Sequence, residues 1–218
     1  MTVVRLEFHR YFDNITTERL MDNSNNFQSV SDIGLDFGDM TSHMDLVLHA
    51  ATTEDELGGV LRLHLLTEQL LWAFYRFVVK APLAEYIREP REFGLLLSYC
   101  VALGMPTKFA AVAKQLNNMR NGLAHLKQKK LDKGNVEQFA RLVADLTGTS
   151  PTSDEFKSHG VEVRVSVESE EFRKLKYKEG SLKDDVIVCV GYFISVYLRW
   201  LIDHAVSYKY GRPVATES

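Results

Sequence analysis

The stretch "ELGGVLRLHLLTEQLLWAFYRFVVKAP", residues 56–82, decides the fold class. Its apolar residues recur at steps of three and four, at Leu57, Val60, Leu61, Leu65, Leu71, Trp72, Tyr75 and Val79. This period is typical of an amphipathic α-helix. Thr53, with Glu56 three residues later, predicts a capping box at its start, and Pro82 predicts its end. A helix of about 25 residues would be roughly 37 Å long, so we expect a main strut of a helical bundle.

Similar patterns on both sides of this stretch predict the other helices. A shorter helix is expected over about 42–50, and two further helices, separated near Gly104 to Pro106, are expected within 91–125. "NVEQFARLVADLTG", residues 135–148, predicts one more, and the last helix, about 182–208, is apolar around most of its circumference. The sequence therefore predicts an all-α fold, a bundle of about five principal helices.

Two segments do not follow the helical pattern. Residues 1–40 are rich in Asn, Ser, Asp and Gly and have no sustained period, so we expect an irregular N-terminal extension before a bundle over 41–218. An insertion is expected at about 149–180, where "VEVRVSV", residues 161–167, alternates as a strand does. We expect this strand to pair with the alternating residues 4–8 in a small β ribbon on the flank of the bundle.

Composition and charge exclude several classes of protein. The 218 residues are 45% hydrophobic and 25% charged, which is ordinary globular composition, and a net charge of -3 gives no overall attraction to nucleic acid. Cys100 and Cys189 are the only cysteines and lie in apolar stretches, so a disulfide framework or a zinc site is not expected. We expect both to be buried thiols in a reducing compartment.

The sequence predicts a cytoplasmic protein without a membrane segment. The N-terminal residues lack the basic and apolar regions of a secretory signal. The longest apolar run, residues 186–198, has 13 residues and is closed by Arg199, whereas a bilayer span needs roughly 20. It is expected to be a buried core helix.

The usual catalytic motifs are missing, and one short pattern remains. The chain contains no GxxxxGK[ST], HExxH, CxxC or GxSxG motif, and no GxGxxG after a strand, so we expect no metal and no cofactor. "QLNNMRNGLAHLKQKK", residues 115–130, places Arg120 and His125 five positions apart. On an unbroken helix they would be separated by about 140°. Asn121 and Gly122 predict a turn that loosens and brings both side chains to one side.

An arginine and a histidine together form a minimal site for cutting RNA without a metal. Arg120 suits a phosphate because it is permanently charged and donates parallel hydrogen bonds, and His125 can transfer a proton near neutral pH. Lys127, Lys129 and Lys130 follow and are expected to bind flanking phosphates. The alternative is a helix that simply ends in solvent, with lysines that complement its dipole.

The Arg-His pattern resembles a known motif. "MRNGLAH", residues 119–125, is similar to the motif of the HEPN superfamily, an Arg followed after four to six residues by a His. The helix pair over 93–125 resembles the branch that contains the mannitol-operon repressor and related uncharacterised bacterial proteins. "LRLHLLTEQLLWAFY", residues 61–75, resembles the upstream core helix, with Glu68 where that helix often carries an acidic residue. The resemblance covers roughly 43–147 and extends to the last helix.

This resemblance implies a fold, an activity and partners. HEPN proteins are helical bundles that dimerise so that two Arg-His motifs face one cleft, and many are metal-independent endoribonucleases in toxin-antitoxin or antiviral systems. Arg120 would stabilise the phosphate, His125 would be the general acid or base, and Asn121 would position the motif or the substrate. Glu68 would orient Arg120. The implied partners are RNA, a second copy of the chain and an antitoxin or regulatory protein.

A non-catalytic function is the alternative that the sequence leaves open. Some members of the mannitol-repressor branch lack an intact motif and act as regulators, although this chain has both residues. The chain would then be a helical regulator or adaptor, for example in transcription regulation, with the charged residues 168–180 engaging a partner protein.

Overall fold

The computed structural model describes residues 34–36, 40–125, 130–164 and 172–210. These residues form seven α-helices and one two-stranded antiparallel sheet. The elements are α1 (Met40–Thr52), α2 (Glu56–Val78), a short 3-10 helix (Leu83–Glu85), α3 (Phe93–Ala102), α4 (Thr107–Ala124), α5 (Lys133–Asp145), α6 (Asp154–Ser158), β1 (Gly160–Arg164), β2 (Phe172–Lys176) and α7 (Leu182–Tyr210). The predicted helical class with a small β ribbon is confirmed.

The last helix, α7, lies at the centre of the fold. Every residue from Val186 to Ile194 is buried, and Tyr197 and Leu201 further along are fully buried. Helices α1, α2 and α5 and both strands pack against it. Helix α4 reaches it through Phe109, whose ring contacts those of Phe193, Tyr197 and Trp200. Burial on nearly all sides explains why α7 is apolar around its circumference.

Helix α7 also has the length and composition of a membrane span. The helical residues Leu182–Lys209 meet the length and hydropathy expected of a bilayer-crossing helix, although the longest uninterrupted apolar run is shorter. Within its most apolar window, 72% of the residues are buried inside the fold. Core helices of water-soluble proteins share these properties, so the packing of α7 accounts for its apolar character.

Helix α2 is confirmed, but its predicted buried stripe is partly wrong. Leu65 is 40% exposed, whereas residues outside the predicted stripe are buried, among them Leu63, Leu66, Leu70 and Phe74. The reason is that α2 packs against four helices, α1, α3, α4 and α7. A helix with neighbours on several sides has no single apolar stripe for a periodic pattern to identify.

The start of α2 also differs from the prediction. Asp55 is the N-cap, and its carboxylate accepts hydrogen bonds from the backbone N–H groups of Leu57 and Gly58 at 3.1 and 2.9 Å. The predicted capping box of Thr53 and Glu56 is therefore wrong. The Glu56 carboxylate instead accepts a hydrogen bond of 2.6 Å from the backbone N–H of Leu131, tying the segment before α5 to the start of α2.

The β ribbon forms within the predicted insertion. β1 pairs antiparallel with β2, which comes from the charged segment, and residues 4–8, the predicted partner, lie outside the described residues. Val161 and Val163 are buried, which agrees with a strand that has one apolar face. Arg173 of β2 forms an ion pair of 3.0 Å with Asp184 and so fastens the ribbon to α7.

The observed cap makes a prediction about stability. Asp55→Ala removes both acceptors from the first turn of α2, so the free energy of unfolding should fall by about 1 kcal/mol. Thr53→Ala should cost less, because Thr53 does not cap the helix. Urea unfolding of both variants measures the difference, and an equal or larger loss for Thr53→Ala would contradict the observed cap.

Candidate functional site

The motif helix α4 is held by a continuous apolar stripe. Phe109, Val112, Leu116 and Met119 are all buried, as predicted, where α4 packs against α2, α3 and α5. Arg120 follows directly after the last of them and is partly exposed. Its guanidinium therefore lies at the edge of a packed helix interface.

The predicted break of the motif helix is wrong. α4 continues through Asn121 and Gly122 to Ala124, and the backbone N–H of His125, the C-cap residue, donates to the Asn121 carbonyl at 3.0 Å. The side chain of Leu123 is buried in the core and holds this last turn in place. Because the helix is unbroken, the Arg120 and His125 side chains leave it about 140° apart. One chain alone does not direct both side chains to the same side.

Arg120 keeps one buried donor without a partner. Its Nη1 donates to Oδ1 of Asn121 at 2.7 Å. Its Nε is buried, and within the described residues it has no hydrogen-bond partner. A buried donor without an acceptor costs about 1–3 kcal/mol, and such groups are rare in folded proteins. This donor is the first sign of a site built for something other than stability.

A second polar contact lies one helical turn before Arg120. Nε2 of His64, in α2, is 3.0 Å from Oδ1 of Asn117. An amide oxygen can only accept, so this bond requires the histidine tautomer that carries its proton on Nε2. His64 is buried, and its ring packs on that of Phe93 with centroids 4.5 Å apart. The interface of α2 and α4 therefore contains a fixed polar contact beside Arg120.

The charge of Arg120 acts on two side chains of α2. Burial, and next the positive charge of Arg120, lower the pKa of His64 from 6.5 to about 4, although the bond to Asn117 acts in the other direction. His64 is therefore neutral at pH 7. Burial raises the pKa of Glu68, and the charge of Arg120 opposes that rise. In the described part of the chain Glu68 and Arg120 form no ion pair. Glu68 therefore interacts with Arg120 through charge at a distance and does not make the predicted orienting contact.

The polar atoms of the cluster are unequally satisfied. The amide oxygens of Asn117 and Asn121 accept from His64 and Arg120. The two amide NH₂ groups and the Arg120 Nε have no hydrogen-bond partner among the residues that the structure describes. Residues 117, 120 and 121 share one face of α4, because positions three and four apart are neighbours on a helix. The cluster thus presents hydrogen-bond donors and one positive charge, the pattern that binds an anion with several acceptor oxygens. We call Asn117, Arg120 and Asn121 the donor cluster.

The remaining predicted residues lie around the end of α4. His125 is exposed at the helix end, and Lys130 is exposed just before α5. Lys127 and Lys129 lie outside the described residues. Cys100 and Cys189 are buried free thiols, and burial raises the pKa of Cys100 to about 12. In the described ranges no three His, Cys, Asp or Glu side chains are placed to hold a metal ion.

The sequence interpretation did not identify His64 and Asn117 as site residues. Two spacings carry the signal that would have found them. His64 and Glu68 are four apart on α2, and Asn117 is three before Arg120 and four before Asn121 on α4. Polar residues at these steps on two neighbouring apolar helices indicate a buried polar contact between them.

Comparison of the chain with known protein families, curated proteins and solved structures finds no match. The HEPN resemblance therefore stays a prediction, and the residues must carry the functional interpretation.

The lowered pKa of His64 predicts how stability depends on pH. Between about pH 6.5 and pH 4 the unfolded chain binds a proton that folded His64 does not, so the fold loses stability as the pH falls through this window. Between pH 7 and pH 4.5 this contribution amounts to about 2–3 kcal/mol. His64→Gln should remove this part of the pH dependence of the free energy of unfolding.

Urea unfolding at the two pH values measures the effect. The control is His49→Gln, at an exposed position of α1, which should keep the wild-type difference between the two pH values. Glu68 and the other acids contribute equally to the pH dependence of the wild type, His64→Gln and His49→Gln, so their contributions cancel in the comparison. An unchanged pH dependence in His64→Gln would show that His64 is not held neutral by the fold.

Proposed function

We propose that this protein is a metal-independent endoribonuclease of the HEPN type. The observation that carries the proposal is the donor cluster: among the residues that the structure describes, the buried Nε–H of Arg120 and the NH₂ groups of Asn117 and Asn121 have no hydrogen-bond partner. A phosphodiester has the negative charge and the closely spaced acceptor oxygens that these donors need. The resemblance of the Arg-His motif supports the reaction and a toxin-antitoxin or defence system as its setting, and we propose that the protein acts in the cytoplasm.

The proposed reaction uses the ribose 2′-hydroxyl as the nucleophile. A His125 imidazole takes the hydroxyl proton as the 2′ oxygen bonds to phosphorus, and the bond from phosphorus to the 5′ oxygen breaks. A water molecule gives a proton to the leaving 5′ oxygen. Arg120 stabilises the charge on the phosphoryl oxygens, and Asn121 holds Arg120 through its amide oxygen. The products are a 2′,3′-cyclic phosphate and a 5′-hydroxyl.

The unbroken helix makes a second copy of the chain part of this proposal. Since Arg120 and His125 leave α4 about 140° apart, the two groups would meet at one phosphate only if His125 comes from another copy. A shared cleft of this kind is what the HEPN resemblance implies. The exposed Lys130 would bind flanking phosphates.

The same geometry favours a second candidate function. If no second copy brings His125 to Arg120, the donor cluster would bind a phosphate without cleaving it. The chain would then be a non-catalytic regulator or adaptor similar to the mannitol-operon repressor. In that case the bound phosphate stays intact, and no RNA cleavage product forms under any condition.

Cleavage of single-stranded RNA in EDTA tests the enzyme. Arg120→Ala and His125→Ala should each lower the rate by about 100-fold or more, because each removes a group that acts on the transition state. The products are identified by their cyclic phosphate ends. His49→Ala, at an exposed position away from α4, is the control and should cleave as the wild type does. If His125→Ala cleaves as fast as the wild type, the proposed mechanism is wrong.

A mixing experiment tests the shared cleft. Arg120→Ala and His125→Ala protein, each inactive alone, should regain activity when they are unfolded together and refolded, because a mixed dimer contains one site with Arg120 and His125 from different chains. If both residues of a site came from one chain, no mixture would be active. Light scattering reports whether the dimer forms, and a strict monomer would favour the regulator.

A further inference from the structure

The contact between His64 and Asn117 fixes which way the Asn117 amide points. The structure places Oδ1 of Asn117, and not its amide nitrogen, 3.0 Å from Nε2 of His64, a contact in which the ring donates when its proton is on Nε2. The Asn117 NH₂ group is therefore turned away from His64. It lies on the face of α4 that also carries Arg120.

Two features of its surroundings hold His64 in the neutral form. The His64 side chain is buried and its ring packs on the Phe93 ring, so rotation of the ring is restricted. The neighbouring positive charge of Arg120 disfavours a second cation on the ring. A neutral histidine adds no charge to the cluster, and with its proton on Nε2 it donates to the amide oxygen of Asn117.

We infer that Asn117 is a phosphate-binding residue and that His64 is the positioning residue that aims its NH₂ group toward the phosphate held by Arg120. This inference rests on the proposed function for the identity of the ligand, a phosphate of single-stranded RNA. It assigns a role to two residues outside the Arg-His motif. Arg120 supplies the charge, whereas Asn117 supplies a directed hydrogen bond that fixes the phosphate on the helix face.

Binding of an RNA that cannot be cleaved separates this inference from the nuclease reaction. The probe is a fluorescent single-stranded oligonucleotide with 2′-O-methyl groups at every position, because it has phosphates but no attacking hydroxyl. Binding is measured by anisotropy at one fixed low salt concentration, since phosphate contacts weaken as salt rises. Asn117→Ala should weaken binding about 10-fold, the effect of losing one hydrogen bond to a charged group.

A matched pair of charge changes tests the direction of the amide. Asn117→Asp keeps the shape and the acceptor for His64 but replaces the donor by a carboxylate oxygen, so it should weaken binding more than Asn117→Ala does. Gln138→Glu is the control, because it makes the same change of charge at an exposed position of α5, outside the donor cluster. Equal losses for Asn117→Asp and Gln138→Glu would mean that only net charge matters and would overturn the inference.

A double-mutant cycle tests the role of His64. His64→Leu should weaken binding about 5-fold in the wild type and not at all in Asn117→Ala, because His64 acts only through Asn117. His64→Gln, whose amide can still donate to Asn117, should restore most of the binding. A merely structural role would weaken both backgrounds alike. If His64→Leu does not fold, the His64→Gln and Asn117 variants still decide the outcome, and full binding by Asn117→Ala overturns the inference.

The outcomes distinguish the inference from the proposed function. If the wild type binds the probe but does not cut unmodified RNA, the nuclease proposal fails and the assignment of Asn117 stands. If Asn117→Ala and Asn117→Asp bind as the wild type does, the assignment fails whether or not the protein is a nuclease. If the wild type does not bind the probe at all, both fail.

Discussion

The burial of α7 on nearly all sides is the constraint on which the rest of the structure depends. A helix with a continuous buried run from Val186 to Ile194 needs neighbours around it, and α1, α2, α5, the β ribbon and the aromatic end of α4 provide them. This arrangement places α2 and α4 side by side. Apolar residues line most of the contact between α2 and α4, but at one point His64 faces Asn117. The donor cluster lies beside this polar contact.

Among the described residues Arg120 has no carboxylate partner in direct contact, and this gives the interface of α2 and α4 its chemical character. In most protein interiors a buried guanidinium is paired with a carboxylate. Here Glu68 is near enough to feel the charge of Arg120, but in the described residues it forms no ion pair with it. The amide oxygen atoms of the cluster accept internal hydrogen bonds, whereas the Arg120 Nε–H and the two amide NH₂ groups have no partner within the described part of the chain. A site of this composition attracts an anion and repels a metal cation.

The sequence predicted the helices well because their signals are local. The period of apolar residues identified α2, α4, α5 and α7, and the burial of Phe109 through Met119 follows the predicted stripe. Leu65 was assigned to the core because a periodic pattern does not reveal how many neighbours a helix has. The strand partner was missed for a related reason, since the charges of β2 conceal a strand whose ion pairs, such as Arg173 with Asp184, form only in the folded chain.

The candidate site was only partly predictable. Arg120, Asn121 and His125 were found through a motif, but the effect of Gly122 was misjudged because intrinsic propensity is weak beside the burial of Leu123 in the same turn. His64 and Asn117 lie 53 residues apart in the chain, on different helices, and the local spacings that mark each of them do not pair the two. Their contact is a property of packing. The directed amide that it creates is visible only in three dimensions.

The most direct measurement is the NMR signal of the Arg120 side-chain Nε–H group, assigned by its loss in Arg120→Lys. On addition of a cleavage-resistant 2′-O-methyl RNA, its proton should move downfield, as expected when a donor without a partner gains a charged acceptor. A signal that stays unchanged while the RNA binds would place the phosphate elsewhere. It would contradict the assignment of the donor cluster as the phosphate site.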